Sequence, residues 1–146
     1  VKGKSIVFTT TNGTRAIDVA KDCKELIIGS FPNISAVAER CIKSAERIVV
    51  LCAGWNNRIN IEDTLFGGAF AEKLIEMTNV EFNSDAIKMS YKLWLKVKGN
   101  LNEFIQVSDH YKRLRDNGAV GDTEYCLTPN SISKVLIYNK IDGMIY

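Results

Sequence analysis

Three short apolar segments recur at nearly even spacing near the start of the chain: Ile6–Phe8, Leu26–Ile28 and Ile48–Leu51. Each is a continuous apolar run rather than an alternation of apolar and polar residues, which is typical of strands buried on both faces. Segments of helical length separate the three runs. The pattern therefore predicts a βαβαβ arrangement, in which right-handed crossovers connect the strands of a parallel sheet.

The connecting segments carry apolar residues at helical spacing. Ala16, Ala20 and Cys23 share one face of a helix predicted over residues 14–23, and Asn33 is positioned to cap a second helix. The remaining predicted elements are helices over 62–77, from Ser84 to about 97, over 101–107 and from Ser108 to Asn117-Gly118, followed by strands over 134–138 and 144–146. Together they predict a single α/β domain over residues 1–146, a three-layer α/β/α fold with a largely parallel sheet.

Composition and charge narrow the possible functions. The 19 Lys and Arg and 17 Asp and Glu residues are interleaved without a basic tract, which argues against a nucleic-acid partner. The apolar runs are far too short for a membrane span, and the N-terminus lacks the apolar region of a signal peptide. Cys23, Cys41, Cys52 and Cys126 show no CxxC spacing. They are expected to be buried, reduced thiols in a cytoplasmic protein.

Small and polar residues follow each predicted strand. Thr9–Asn12, Gly29-Ser30 and Ala53-Gly54 would meet at the carboxyl edge of the sheet, where open parallel sheets bind ligands. Backbone N–H groups at a helix start attract anions. The predicted anion or phosphate pocket comprises Thr11, Asn12, Gly13, Thr14 and Arg15. The alternative is that Thr11 or Asn12 only caps a helix.

Carboxylates are predicted at the same edge. Glu62 and Asp63 open a helix, and acidic residues there are favoured by the helix dipole alone. Close to a phosphate pocket, however, the same pair would suit Mg²⁺, which prefers oxygen ligands and needs only one or two carboxylates. Weaker candidates are Arg58, Asp85, the sole histidine His110 and Asp122, and each is also compatible with an ordinary surface position.

Several short motifs occur in an order that resembles one family. They are TTTNGTRA at 9–16, NISAVA at 33–38, CAG at 52–54, EDTLFGGA at 62–69, SDA at 84–86, SDH at 108–110 and an Asp-x-x-x-Cys at 122–126. These motifs and their order resemble the 2-phosphosulfolactate phosphatase family over essentially the whole chain. Members are Mg²⁺-dependent phosphoric monoester hydrolases that convert 2-phospho-3-sulfolactate to 3-sulfolactate and phosphate in coenzyme M biosynthesis.

The resemblance also implies roles for individual residues. Thr11–Arg15 would form the cradle for a small anionic phosphoester, with Arg15 supplying full charge. Glu62 and Asp63 would hold Mg²⁺, and Asp63, Asp122 and Arg15 would take part in catalysis. The family has glycine after the histidine of its Ser-x-His motif, whereas this chain has Tyr111. That difference argues against a role for His110.

The family carries a further N-terminal α/β portion ahead of the threonine string. This chain is therefore expected to correspond to the C-terminal portion of a longer phosphatase, and its protein partner is expected to be that portion or a second copy. The competing interpretation is a non-catalytic α/β domain that binds a phosphorylated metabolite or a partner domain. Dinucleotide binding fits poorly, because no GxGxxG follows any of the three apolar runs.

Overall fold

The structure, a computed structural model, describes residues 3–146; Val1 and Lys2 lie outside the described residues. Helices dominate the described part of the chain. The α-helices are α1 (Thr11–Ala20), α2 (Ile34–Ser44), α3 (Ile61–Met77), α4 (Asp85–Val97), α5 (Leu101–Phe104), α6 (Asp109–Asp116) and α7 (Thr123–Leu127). Short 3-10 helices cover Phe31–Asn33, Lys98–Asn100, Ile105–Val107 and Val120–Asp122, and the strands are β1 (Ile27–Ile28), β2 (Leu136–Asn139) and β3 (Met144–Ile145).

Short polar side chains start the helices, as helix termini require. The predicted caps Ser84 and Ser108 are confirmed, since each accepts a hydrogen bond from an amide of the first turn of α4 or α6. At α1 the cap is Thr10, not Thr11 or Asn12. Asn33 precedes α2 but does not cap it. Its side chain instead accepts from the Ser30 amide and donates to two carbonyl groups elsewhere in the chain.

The core is built around α3. Gly68 allows α4 to approach closely, because a Cβ there would lie 2.2 Å from the Ser90 carbonyl oxygen. Within α3, Phe70 and Leu74 are buried and Phe66 is partly buried, whereas Met77, the last residue of the helix, is 41% exposed. The buried hydrophobic residues are Phe31, Ile34, Val37, Ala38, Cys41, Leu65, Ala69, Phe70, Ala71, Leu74, Trp94, Val97, Ile105 and Leu127.

The sheet differs from the prediction. Within residues 3–146, β2 is the central strand of a three-stranded sheet and pairs antiparallel with both β1 and β3. The predicted largely parallel sheet is therefore wrong for the strands that pair here. Ile6–Phe8 and Ile48–Leu51 are not strands, because their backbone groups make no hydrogen bonds to other described residues. The short C-terminal strands and the α/β class are confirmed.

The cysteines are free thiols, as predicted, but only Cys41 is buried; Cys23, Cys52 and Cys126 are exposed. The apolar face of α2 accounts for the position of Cys41. None of the helices between residues 3 and 146 combines the length and the apolar character that crossing a bilayer requires.

Candidate functional site

The first turn of α1 carries the predicted anion cradle. The Gly13 amide donates to Thr10 Oγ1 over 3.0 Å, and a Cβ at position 13 would lie 2.6 Å from that oxygen. The capping Thr10 side chain therefore leaves no room for a side chain at position 13, and glycine is required there. The amides of Thr11 and Asn12 have no hydrogen-bond partner among residues 3–146. These two N–H groups, at the positive end of the helix dipole, are free to bind an anion.

The threonine hydroxyls around this turn bond mainly to one another. Thr14 Oγ1 accepts from the Thr10 amide over 3.2 Å and donates to the Thr10 carbonyl, and it lies 3.2 Å from Thr9 Oγ1. These hydroxyls hold the start of α1, so the predicted anion cradle depends on the backbone N–H groups of this turn. Arg15 is exposed and forms no ion pair with a described residue. Its charge therefore remains available to an anion at the helix start.

A tight hairpin over Trp55–Arg58 positions the second part of the site. Asn56 and Asn57 both have positive φ, as a two-residue primed turn requires, and Trp55 and Arg58 exchange two backbone hydrogen bonds. Gly54 also has positive φ, and a Cβ there would lie 2.6 Å from the Arg58 carbonyl oxygen. The segment between Ala53 and α3 thus contains an ordered turn.

Asp63 links this loop to the start of α3. Its Oδ2 accepts from the Gly54 amide over 2.7 Å. Although Cys52 as a whole residue is exposed, partial burial of its thiol and the nearby Asp63 carboxylate raise the pKa of Cys52. The thiol therefore stays protonated at neutral pH, which argues against Cys52 as a nucleophile.

Glu62 points to a different part of the chain. Its Oε1 accepts from Ser108 Oγ over 2.9 Å, and the same Ser108 oxygen accepts from the Tyr111 amide over 3.0 Å. Ser108 is only 1% exposed. Glu62 Oε2 is buried and has no hydrogen-bond partner among the described residues. The Glu62 side chain thus joins the predicted acidic pair to the Ser-x-His motif. Its Oε2 remains available to a ligand.

His110 belongs to a small polar cluster at the start of α6. The Arg113 guanidinium donates to His110 Nδ1 over 2.9 Å and stacks on the Trp55 ring at 3.8 Å from its centroid. An acceptor at Nδ1 leaves the proton of the neutral ring on Nε2. The sequence reasoning gave Arg113 and Trp55 no part in the site, and no local signal in the sequence would have paired two residues so far apart.

Two adjoining cavities bring most of the predicted residues together. A large cavity of about 2560 Å³ is lined by Gly13, Thr14, Glu62, Asp63 and Asp122, together with His110. A small one of about 160 Å³ is lined by Asn12 and Arg15, and the two share Leu51–Ala53. Thr11, Arg58 and Asp85 line neither cavity. The start of α1 and the start of α3 therefore face adjoining space.

The donor set at the start of α3 is compatible with Mg²⁺. Glu62 and Asp63 each use one oxygen in a hydrogen bond, and the second oxygen of Glu62 is buried without a partner. Mg²⁺ needs only one or two carboxylates, since waters and substrate phosphate complete its coordination. Within residues 3–146 there is no group of three or more His, Cys, Asp or Glu side chains arranged to hold a metal ion. A cage made only of these side chains is therefore excluded for the described residues.

Comparison with known proteins gives one consistent result. The family described as 2-phosphosulpholactate phosphatase matches residues 1–140. The chain is 41% identical over 128 residues to a protein of Caldanaerobacter subterraneus subsp. tengcongensis named "Probable 2-phosphosulfolactate phosphatase". Proteins with the same name from Clostridium tetani and Thermotoga maritima are each 36% identical, over 141 and 135 residues.

These relatives are considerably longer than the chain. The matched regions cover 88%, 94% and 92% of this chain but only 53%, 58% and 57% of the Caldanaerobacter, Clostridium and Thermotoga proteins. The chain thus spans little more than half the length of the relatives it matches.

Proposed function

The chain belongs to the 2-phosphosulpholactate phosphatase family, and on that premise we propose that it forms part of a Mg²⁺-dependent phosphomonoester hydrolase. The proposed substrate is 2-phospho-3-sulfolactate or a similar small phosphorylated 2-hydroxy acid. Such a molecule carries phosphate, sulfonate and carboxylate groups on three carbons. The proposed setting is cytoplasmic coenzyme M biosynthesis, which is the pathway that the family resemblance implies.

The main support is the adjoining position of two complementary helix starts. The first turn of α1 offers the unpaired Asn12 amide and the exposed Arg15 beside the smaller cavity, and both suit the anionic groups of the substrate. The first turn of α3 offers Glu62 and Asp63 beside the larger cavity. An anionic ester and a divalent cation are the two species that such a pair of helix starts would bind side by side.

In the proposed reaction, Glu62 and Asp63 would hold Mg²⁺ and the start of α1 would hold the phosphate. The chemistry that the metal would supply there is compensation of the negative charge on the phosphate oxygens. A water oxygen would attack phosphorus opposite the ester oxygen, and the phosphorus–ester oxygen bond would break. Asp63 would orient that water. One proton of the water would remain on the released hydrogen phosphate, and the other would pass through the Asp122 carboxylate to the leaving alkoxide, which departs as 3-sulfolactate. Arg15 stabilises the transferring phosphoryl group.

Phosphate release from 2-phospho-3-sulfolactate tests this proposal. The protein is assayed with Mg²⁺ and with EDTA, alone and after addition of the complementary region of the Caldanaerobacter relative. We expect Mg²⁺-dependent release that falls at least about 100-fold in Arg15→Ala and in Glu62→Gln. Arg115→Ala is the control, because Arg115 is exposed and lines neither cavity. Release that is unaffected by EDTA, or by Arg15→Ala, would refute the assignment.

A second candidate is a domain that binds a phosphorylated metabolite without hydrolysing it. One observation favours it for this chain by itself: the match covers little more than half of the length of each relative. The two candidates differ in one measurable way. Binding of the phosphoester with no phosphate release, even in the presence of the complementary region, would identify the binding domain.

A further inference from the structure

Ser108 lies where α6 meets the start of α3. Asn33 and Ser108 are the buried polar residues among residues 3–146, and Ser108 is only 1% exposed. Its amide donates to the Ile105 carbonyl over 3.0 Å, and its carbonyl accepts from the Lys112 amide over 3.2 Å. These bonds hold the Ser108 backbone in place, so its hydroxyl reaches only the groups that pack against it.

The Ser108 hydroxyl is fixed by two hydrogen bonds. Its oxygen accepts from the Tyr111 amide over 3.0 Å and donates to Glu62 Oε1 over 2.9 Å. Because the amide occupies a lone pair of the hydroxyl oxygen, the hydroxyl proton is directed at the carboxylate. A hydrogen bond to an ionised acceptor is stronger than one between neutral groups. Ser108 therefore holds Glu62 Oε1 and restricts rotation of the carboxylate.

The second oxygen of Glu62 is in a different situation. Oε2 is buried and has no hydrogen-bond partner among the described residues, although Glu62 lines the larger cavity. A buried carboxylate oxygen without a partner is costly, and a cation would supply the contact that it lacks. Glu62 thus has one oxygen engaged by Ser108 and one that is suited to a metal ion.

Asp63 is arranged in the same way. Its Oδ2 accepts from the Gly54 amide over 2.7 Å, and its Oδ1 forms no hydrogen bond to a described residue. The two carboxylates therefore offer one open oxygen each. Mg²⁺ needs only one or two carboxylates and keeps several waters, whereas Ca²⁺ takes about six to eight oxygens and often both oxygens of one carboxylate. Single open oxygens on fixed carboxylates favour the smaller ion.

We propose that Ser108 is a positioning residue that keeps Glu62 a one-oxygen ligand and thereby makes the start of α3 selective for Mg²⁺ over Ca²⁺. The inference rests on the proposed function, since it takes Glu62 and Asp63 as the metal ligands. Without the Ser108 hydroxyl, the Glu62 carboxylate would be free to turn and to offer both oxygens to one ion. Ca²⁺ would gain from the second oxygen, whereas Mg²⁺ would lose a fixed ligand.

Metal titration of the full chain tests the inference without an activity assay. Calorimetry gives the dissociation constants of Mg²⁺ and Ca²⁺ for the unaltered chain, for Ser108→Gly and for Ser108→Ala. Glycine replaces serine at a helix cap with little loss, so Ser108→Gly removes mainly the bond to Glu62. We expect the ratio of Mg²⁺ affinity to Ca²⁺ affinity to fall at least about tenfold in both variants. A general loosening of the fold would weaken both ions alike and leave this ratio unchanged.

Ser84→Gly is the matched control. Ser84 caps α4 as Ser108 caps α6, but it lines neither cavity and forms no hydrogen bond with a residue of the candidate site. Its affinity ratio should equal that of the unaltered chain, and an equal fall in Ser84→Gly would overturn the inference. Circular dichroism identifies the variants that are folded during the titration, and either folded Ser108 variant decides the result.

Glu62→Gln separates this inference from the proposed function. If Glu62→Gln weakens Mg²⁺ binding but the Ser108 variants keep the affinity ratio, the inference is overturned and the proposed metal site stands. If the unaltered chain does not bind Mg²⁺, or if Glu62→Gln leaves Mg²⁺ binding unchanged, both the inference and the proposed metal site are overturned.

Discussion

Replacement of Ser108 by alanine would test how the candidate site is tied to the fold. Ser108 is buried, caps α6 through the Tyr111 amide and donates to Glu62 Oε1 at the start of α3. Ser108→Ala removes both interactions at once. The matched control is Ser84→Ala, because Ser84 caps α4 through a longer, exposed bond of 3.4 Å to the Ile87 amide and has no other partner.

The expected cost follows from the two lost bonds. Loss of a helix cap costs about 1 kcal/mol. A hydrogen bond to a charged group contributes about 1.5–3 kcal/mol, and its loss leaves both oxygens of the partly buried Glu62 carboxylate without partners. Ser108→Ala should therefore lower the free energy of unfolding by about 2.5–4 kcal/mol. Ser84→Ala should lower it by no more than about 1 kcal/mol.

Urea unfolding, followed by circular dichroism in the presence of EDTA, measures the difference. EDTA removes any stabilisation by metal bound at Glu62. The midpoint of Ser108→Ala should fall by roughly 1 M urea or more relative to the unaltered protein, with an unchanged slope. Equal losses of stability in Ser108→Ala and Ser84→Ala would refute the claimed link between Glu62 and α6.

Two further predictions concern the contact between α3 and α4. Gly68→Ala should lower the free energy of unfolding by about 1–3 kcal/mol, because the new Cβ would overlap the α4 backbone. Gly67→Ala should raise the free energy of unfolding by up to about 1 kcal/mol, because alanine has the higher helix propensity and its Cβ would have no neighbouring atom closer than 3.9 Å. Thermal unfolding measures both, and shifts of equal sign would contradict the packing. Burial opposes ionisation of Glu72, but hydrogen bonds from Lys98 and Trp94 outweigh it and lower the pKa of Glu72. The stability that this ionised carboxylate contributes is present above its ordinary pKa and is lost as pH falls below about 4. Glu72→Gln should therefore flatten the acid side of a plot of urea midpoint against pH. An unchanged plot would contradict this prediction.

Most of the helices followed from local sequence signals, whereas α7 and the pairing of the sheet did not. Ser84 and Ser108 predicted the starts of α4 and α6, because capping depends only on residues within one turn. The strand directions depend on pairing between distant segments. The predicted strand Leu26–Ile28 contains β1, which pairs with β2 more than a hundred residues later in the chain. Continuous apolar runs predicted burial on both faces for Ile6–Phe8 and Ile48–Leu51. Within the described residues Ile48 and Val50 pack against the core, whereas Val49, Leu51 and all of Ile6–Phe8 are exposed.

The sequence predicted which residues could form a site, but not the hydrogen bonds between them. Polar residues after apolar runs pointed to the starts of α1 and α3, and residues of both helix starts line adjoining cavities; their roles in binding stay predictions. The threonine hydroxyls, however, bond locally at the cap of α1. The bond from Ser108 to Glu62 spans 46 positions, and no short-range pattern encodes a contact of that range. Sequence alone identified which residues are chemically suitable, and tertiary packing determined which of them meet.

The central claim is that the start of α1 and the start of α3 bind one phosphate group and one divalent ion as neighbours. Calorimetric titration with Mg²⁺, in the absence and presence of inorganic phosphate, tests it most directly, because two ligands that share a site must change each other's affinity equally. We predict that phosphate tightens Mg²⁺ binding at least about fivefold. Arg15→Ala should abolish this effect while leaving Mg²⁺ binding without phosphate unchanged. Mg²⁺ binding that is independent of phosphate, or lost only when residues other than Glu62 and Asp63 are replaced, would contradict the account.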